Sequence, residues 1–435
     1  MTPSRAGVMG LSDAARAVLA ELATAFADRR PGWDHGGKVV VLDAEVLVPG
    51  RPGIVDVIAR RGARELHVPF GLRAQGAETR FMPDAEDPVL GIFEDNDGPA
   101  IVLDAVRDME LAALLLRVAT GRDADSSLVR HLREDEASVT LVMEDRIVFT
   151  VYYDVVEGRR PDLEMFLALD EVGFNHLPAP LAVWRRAERD LGLAQEYLPG
   201  ASSGYALALT SVRDLYASGG PPEVAGGDFG AEAHRIGTMT ARMHLGLDKA
   251  FGRRTGDIGE WADGIEESLR VLDPRALEHP DTAALLTELR GLQIPSLAIR
   301  THGDFHLGRT CRTEQGWYVM DFTAAPPATM VGTVFSGDEG DPVFRSPLAD
   351  VADMLWSFGH VARTAAEERD PSGREGLGEL AEAWEARNRR AFLAGYLGVP
   401  GISGLVPPGR EVLRVLTAAF SLARAAAHRA RLSQD

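Results

Sequence analysis

The chain holds one cysteine in 435 residues, has few aromatics, no excess of basic charge and no long apolar run. Each shortage closes off a class of function. Cys311 alone can form no intramolecular disulfide and supplies no thiolate metal site within one chain. Lysine and arginine number 46 against 65 aspartates and glutamates, a net charge of -19. Phosphate backbones reward dense Lys and Arg, so a nucleic-acid groove or an anionic membrane surface is excluded as the main partner, and a neutral or cationic small substrate is expected. No stretch reaches the ~20 apolar residues of a membrane span. Leu11 to Phe26 is interrupted by Asp13, Arg16 and Glu21 at the spacing of an amphipathic helix, unlike a signal peptide. A cytoplasmic protein is expected. No Cys/His cluster has zinc spacing, and Gly200, Gly204, Gly219 and Gly220 form neither a Walker-type loop nor a dinucleotide fingerprint. His234 and His244, on one amphipathic helix, read as packing or surface residues.

What is present is the composition of a globular protein, with 26% charged and 45% apolar residues. Single cores stop growing near ~250 residues, so two or three domains are expected, as lobes with a cleft. Short β-branched runs at Lys38 to Leu47, Gly53 to Ala59 and Leu66 to Pro69, followed by a helix from Met109 to Ala119, predict a compact α+β unit ending near residue 122. A hairpin is predicted from Ser138 to Val142 and Arg146 to Tyr153. A helix follows from Pro161 to Leu169, with proline where the first turn tolerates it, then a strand from Leu191 to Leu198 leading into a hinge at Pro199-Gly200. Beyond it the pattern is mostly helical: Gly230 to Leu247, Ile258 to Leu272, Pro347 to Ala362, Leu377 to Gly395 and Arg410 to Arg431. The exceptions are two strand-like pieces flanking Gly316 and a Gly/Pro-rich loop from Ala324 to Ser346. A small sheet lobe, a hinge and a helical lobe follow the order of a kinase.

The densest chemical signal is Thr301-His302-Gly303-Asp304-Phe305-His306-Leu307-Gly308-Arg309, then the strand Trp317 to Met320 and Asp321-Phe322. Phosphoryl transfer to a hydroxyl needs one carboxylate to orient and deprotonate the attacking group and another to hold magnesium against nucleotide phosphates. Asp304 and Asp321 supply that pair, because a short hairpin can return the second to the first. Alone, His302 would read as a buried histidine holding a loop and Asp304 as a turn residue. The ordered string is what points to a site.

That string resembles the His-Gly-Asp loop of aminoglycoside and choline kinases, and within that superfamily the maltokinase version. "GWDHGGK", "VPFGLR", "LAQEYLPGASSGYALAL", "SPLADVADMLWSF" and "WEARNRRAFLAGY" are similar to maltokinase segments at matching places. The resemblance implies an α+β, two-lobed protein-kinase-like (aminoglycoside phosphotransferase-like) fold with an N-terminal α+β cap domain. Its divisions would be a cap over residues 1–122, a nucleotide-binding lobe over 123–200 and a helical acceptor lobe over 201–435. It implies ATP as phosphoryl donor, Mg2+, and a sugar or aminosugar acceptor. His302 would join Asp304 in catalysis. Gln195, Glu196, Tyr197 and Leu198 would be the hinge contacting adenine, with Thr150 and Ser138 near the phosphates. His306, Trp384 and Glu385 would line the acceptor site, and Asp350 would brace the catalytic loop.

The same alignment exposes departures. Thr150 stands where a phosphate-neutralising lysine is expected, leaving its helix partner Glu164 without a cation. Arg309 stands where an Asn or Gln ligates magnesium, and a guanidinium has donors only. The phosphate-covering turn, Asp135 to Ser138, is acidic, with Glu134 beside it. Thr323 replaces an acidic residue after Asp321-Phe322, and the last helix is rich in Ala and Arg. Three accounts stay open: an active kinase in which Arg309 supplies the lost charge, a pseudokinase acting through a protein partner in glycogen or trehalose metabolism, and an antibiotic phosphotransferase. The active account expects Arg309 in the interlobe cleft within reach of the Asp321 carboxylate.

Overall fold

The computed structural model describes residues 13–432 except 31–32, 34–36, 78–80, 83–87, 96–97, 225–227, 293, 323–343 and 373–375. The chain divides into two compact units, Met1–Arg160 with Pro178–Pro199 and Pro161–Leu177 with Gly200–Asp435.

The first unit carries two antiparallel sheets. Helix α1 (Asp13–Asp28) precedes β1 (Val39–Val48), β2 (Gly53–Arg61), β3 (Arg64–Ala74), β4 (Val89–Asp95) and β5 (Gly98–Asp104), paired in the order β1-β2-β3-β5-β4. Ile54, Val57, Ile58, Leu66, Val68 and Phe70 are wholly buried on these strands. Helix α2 (Met109–Thr120) starts at Asp108, whose carboxylate accepts from the amides of Glu110 and Leu111 and also grips Arg73 at 2.8 and 2.6 Å. Such a cap stabilises a helix by about 1 kcal/mol.

The second sheet is built from β6 (Val129–Glu134), β7 (Ser138–Met143) and β8 (Ile147–Tyr152). After β9 (Asp154–Val155), which joins β3, it gains β10 (Pro180–Arg186) and β11 (Arg189–Glu196), in the order β10-β11-β8-β7-β6. The β7–β8 hairpin turns through Glu144 and Asp145 at φ 54° and 48°. That left-handed pair matches strand twist.

The second unit is mainly helical. It opens with α3 (Pro161–Glu171) and continues through β12 (Ser202–Ser203), α4 (Gly204–Ser218), α5 (Gly230–Phe251), β13 (Arg254–Gly256), α6 (Ile258–Leu272), α7 (Pro274–Leu277) and α8 (Pro280–Gly291). The short strands β14 (Ser296–Arg300), β15 (Thr310–Arg312), β16 (Trp317–Val319) and β17 (Phe344–Arg345) follow, then α9 (Pro347–Arg369), α10 (Gly378–Leu397) and α11 (Arg410–Leu432). Helix α9 is the core element, with Leu348, Val351, Met354, Leu355, Phe358 and Val361 buried. Helices α5 and α10 approach so closely that a Cβ on Gly237 would lie 2.1 Å from the Phe392 carbonyl, and one on Gly395 would lie 2.0 Å from that of His234.

The predicted helices and the hairpin all appear, extended by a turn or less at most ends; α5 and α9 run further. Strands β4, β5 and β10 and the separate helices α4 and α8 were not anticipated, because their apolar residues lack a clean period. Thr323 and most of the Ala324 to Ser346 loop lie outside the described residues; Phe344 and Arg345 form β17, and the Ser346 hydroxyl caps α9. Among the described residues no helix is long and apolar enough to cross a membrane.

Candidate active site

The site is assembled in the second unit where β14 ends. The chain leaves Arg300, turns at Gly303 with φ 93°, and passes Asp304 and His306 into the short β15–β16 hairpin. Asp350, at the first turn of α9, fastens this loop: its carboxylate accepts from the amides of His302 at 2.7 Å and Gly303 at 3.1 Å. The same carboxylate meets His244 Nε2 at 3.1 Å, and His244 Nδ1 meets the Tyr396 hydroxyl at 2.9 Å. Burial would raise the Asp350 carboxyl, but the hydrogen bond from His244 and the charge of Arg345 overcome that and hold it below its ordinary value. A chain of buried groups from three helices thus fixes the loop.

His302 does a different job from the catalytic one expected. It is fully buried, its Nε2 faces the Met320 carbonyl at 2.9 Å, and its Nδ1 lies 3.4 Å from the Asp304 amide. Its ring stacks on Phe322 with centroids 4.8 Å apart. Both nitrogens are engaged and burial lowers its pKa, so the ring stays neutral and joins the Asp304 loop to the end of β16. His302 is thus placed to hold the geometry of the loop. Asp321 has φ 52°, a left-handed conformation that Asp tolerates, and this turns the chain just after the hairpin.

The two aspartates converge. Arg309 Nη2 lies 3.0 Å from Asp304 Oδ2 and Arg309 Nη1 lies 3.2 Å from Asp321 Oδ2. Arg309 thus reaches the Asp321 carboxylate, as the charge-replacement account requires within this unit. Asp304 is also held by a group that no motif suggested: Arg424 of α11 donates through Nη1 to Asp304 Oδ1. His306 accepts from the Gly308 amide through Nδ1, which leaves its Nε2 to face Asp304 Oδ2 at 3.6 Å. Burial pushes Asp304 up, yet His306 and Arg424 outweigh it and hold the carboxyl far below the ordinary carboxylate range. Behind Arg424, Asp353 of α9 is 1% exposed, and burial raises its carboxyl to about 7.

Other predicted residues separate into two groups. Trp384 corrects the expectation of an acceptor contact: it is 1% exposed, donates to Ser211 Oγ at 3.0 Å, and packs among Phe229 and Phe358. Glu385 is half-buried and pairs with Arg389 at 2.7 Å. Glu164 is not without a cation, since Arg300 Nη1 lies 2.5 Å from its Oε2 and the same guanidinium reaches the Pro161 carbonyl. In the first unit, the Thr150 hydroxyl faces that of Thr140 across the sheet at 3.1 Å, and Ser138 and its amide turn onto Asp135. Glu134 is neutralised by Arg107 and Arg30 rather than left beside a phosphate turn. Gln195 and Glu196 end β11; the amides of Glu196 and Tyr197 are already donated to the carbonyls of Ala179 and Arg146, while Leu198 follows the strand.

No family model matches the chain. Its sequence is 29% identical over 389 residues to a glucosamine kinase from Streptacidiphilus jiangxiensis, covering 81% of each chain. The structure superposes on that of a glucosamine kinase in complex with glucosamine, ADP and inorganic phosphate, with a TM-score of 0.65, 21% identity, and coverage of 99% of this chain and 96% of that one. A second crystal form of glucosamine kinase gives 0.64 over 96% of this chain and 94% of that one, again at 21% identity. At this identity the structural likeness establishes the fold, the α+β kinase-like arrangement expected from the sequence. The sequence relative is a glucosamine kinase, where the motifs had suggested similarity to maltokinase.

A divalent metal has a restricted place here. Among the described residues no group of three or more His, Cys, Asp or Glu could hold one. Magnesium, however, takes one or two carboxylates and completes its shell with water and substrate phosphates. Asp321 fits that role and Arg309 does not, so the donor set suits a metal that arrives on a nucleotide.

Arg300, Arg424, Asp353 and Tyr396 are neighbours of the loop that the sequence reading did not name. Of these only Arg300, directly before the Thr301-His302 string, offered a local signal. His244, read as packing or surface, proves to be a buried support of Asp350.

Proposed function

We propose that the chain is an ATP-dependent small-molecule kinase that moves the γ-phosphoryl group to a hydroxyl of a sugar or aminosugar. The observation that carries this reading is the convergence of Asp304 and Asp321 on one guanidinium, on a loop pinned by Asp350. The sequence similarity to glucosamine kinase over most of the chain supports it. The proposed division of labour keeps residues 1–122 as a cap, 123–200 as the nucleotide lobe with Gln195 to Leu198 at adenine, and 201–435 as the acceptor lobe.

Asp304 orients the acceptor hydroxyl and takes its proton as the bond from acceptor oxygen to phosphorus forms and the bond to the departing diphosphate breaks. So strongly ionised a carboxylate is a weak base. It suits the loose transition state of phosphoryl transfer, in which the proton leaves late. Asp321 would hold Mg2+, which would supply positive charge against the nucleotide phosphates. Arg309 adds positive charge to the same spot, the charge missing at Thr150, and preorganised charge is the larger part of this catalysis. His306 and Glu385 remain the candidate acceptor contacts.

The test is calorimetry with Mg-ATP followed by ADP release over glucosamine, glucose, maltose and aminoglycosides, with Asp304→Asn as control. Acceptor-dependent turnover lost in the control supports the proposal, and the preferred acceptor separates a sugar kinase from an antibiotic phosphotransferase. Failure to bind nucleotide, together with capture of a protein partner, favours the pseudokinase.

A further inference from the structure

We propose that Arg424 is a movable guard of Asp304: when acceptor binds, its guanidinium passes from Asp304 to Asp353 and so frees the reacting carboxylate oxygen. The inference rests on the kinase reading above and adds a positioning residue to it.

In the structure each oxygen of Asp304 accepts from a guanidinium and the residue is 3% exposed, so little of either oxygen is open to a further donor. Arg309 sits on Oδ2 with His306 close by, and Arg424 sits on Oδ1. An acceptor hydroxyl must reach one of them within hydrogen-bond distance to be oriented. Displacing Arg309 would also break its pairing with Asp321. Displacing Arg424 costs less, because a second seat is waiting: Asp353 Oδ2 lies 4.0 Å from the same Nη1 and has no hydrogen-bond partner. A movement of about 1 Å would bring that pair to hydrogen-bond length. The seat is needed, since Arg424 is 5% exposed and a buried guanidinium is not left unpaired. The Trp356 ring, 5.4 Å from the guanidinium carbon, lines the path.

The groups facing Asp353 are Arg424 from α11, Arg345 from β17, Asp350 on α9 and Asp304 on the loop. Burial lets Asp353 keep its proton up to about pH 7, so the arriving guanidinium releases that proton to solvent. Asp304 loses one of the cations that hold it ionised and becomes a better base at the moment the hydroxyl arrives. It then accepts the hydroxyl proton as the triphosphate is cleaved, and passes it to solvent after transfer.

The experiment measures ADP release from Mg-ATP with glucosamine, glucose, maltose and aminoglycosides across pH 7, in the wild type, Asp353→Asn, Arg424→Gln and the double variant, with nucleotide affinity read by calorimetry. Removing the second seat should lower kcat by roughly 5- to 100-fold, the usual range for coupling between neighbouring sites, and flatten the rise of wild-type turnover through pH 7, with nucleotide affinity unchanged. Arg424→Gln should lower the acceptor KM, and it should rescue Asp353→Asn, because an absent guard needs no seat. Wild-type turnover with an unaffected Asp353→Asn, or a double variant as slow as Asp353→Asn, overturns the inference and leaves the kinase reading standing. No turnover in any of the four proteins overturns the kinase reading and this inference together.

Discussion

The Asp304 loop and the five-stranded sheet treat charge in opposite ways. In the sheet, every departure from the resemblance is settled locally: Thr150 faces Thr140, Ser138 folds onto Asp135, and Glu134 is absorbed by Arg107 and Arg30. In the loop, Arg309 and Arg424 bring two cations onto one carboxylate and a third buried acid is left half-satisfied. Local settlement is what a stable surface needs, whereas unresolved buried charge is expensive and concentrates where chemistry is done. The unresolved charge lies in the loop, which is where the proposed kinase reading puts the chemistry.

The sharpest way to break this comparison is Asp304→Asn. Acceptor-dependent ADP release should fall by roughly 100- to 10,000-fold, the usual contribution of a positioned base, with nucleotide affinity by calorimetry unchanged. Next comes Arg309→Ala, expected to remove about 2 to 4 kcal/mol of transition-state stabilisation if Arg309 supplies the missing charge. An unaltered kcat/KM would return that role to the sheet. Asp350→Asn turns an amide group toward the amides of His302 and Gly303, and should lower unfolding free energy by about 2 kcal/mol in urea titrations; the same substitution should cut kcat without moving ATP affinity.

Thr150→Lys should change the KM for ATP by no more than a few-fold, because positive charge is already present at Arg309. A large gain would show that the sheet had been the limiting region. A separate effect concerns pH. Asp353 has a folded value of about 7 against an ordinary 3.8, so the folded state holds a proton that the unfolded chain releases between those values. Stability contributed by this group therefore falls as pH rises from 3.8 to about 7 and is level above it. Asp353→Asn should remove that slope, read as urea midpoints at mildly acidic and mildly alkaline pH.

Much of the fold could be read in advance where period and punctuation agree. Helices α6, α9 and α11 carry long amphipathic or buried runs, and the β7–β8 hairpin has two short apolar, β-branched runs around an acidic turn. Strands β4 and β10 escaped because their half-exposed residues mix small, apolar and charged side chains without alternation. Asp304 and Asp321 stood out because phosphoryl transfer needs two carboxylates at short spacing, whereas Asp350 was named only through the resemblance. Trp384 misled because an aromatic on a helix near a site has the same local signature whether it faces a ligand or the core; only its 1% exposure and its bond to Ser211 decide.

By itself the sequence determined the α+β character, the order of sheets and helices, and the presence of two carboxylates one hairpin apart. Those follow from local periodicity and from chemistry confined to about twenty residues. Tertiary structure alone decided that Glu164 is answered by Arg300, that His244 supports Asp350, and that Arg424, 120 residues from Asp304, closes on its carboxylate. The reason is physical: a buried charge is stabilised by whichever partner packing brings within hydrogen-bond reach, and that partner's position along the chain leaves no local trace.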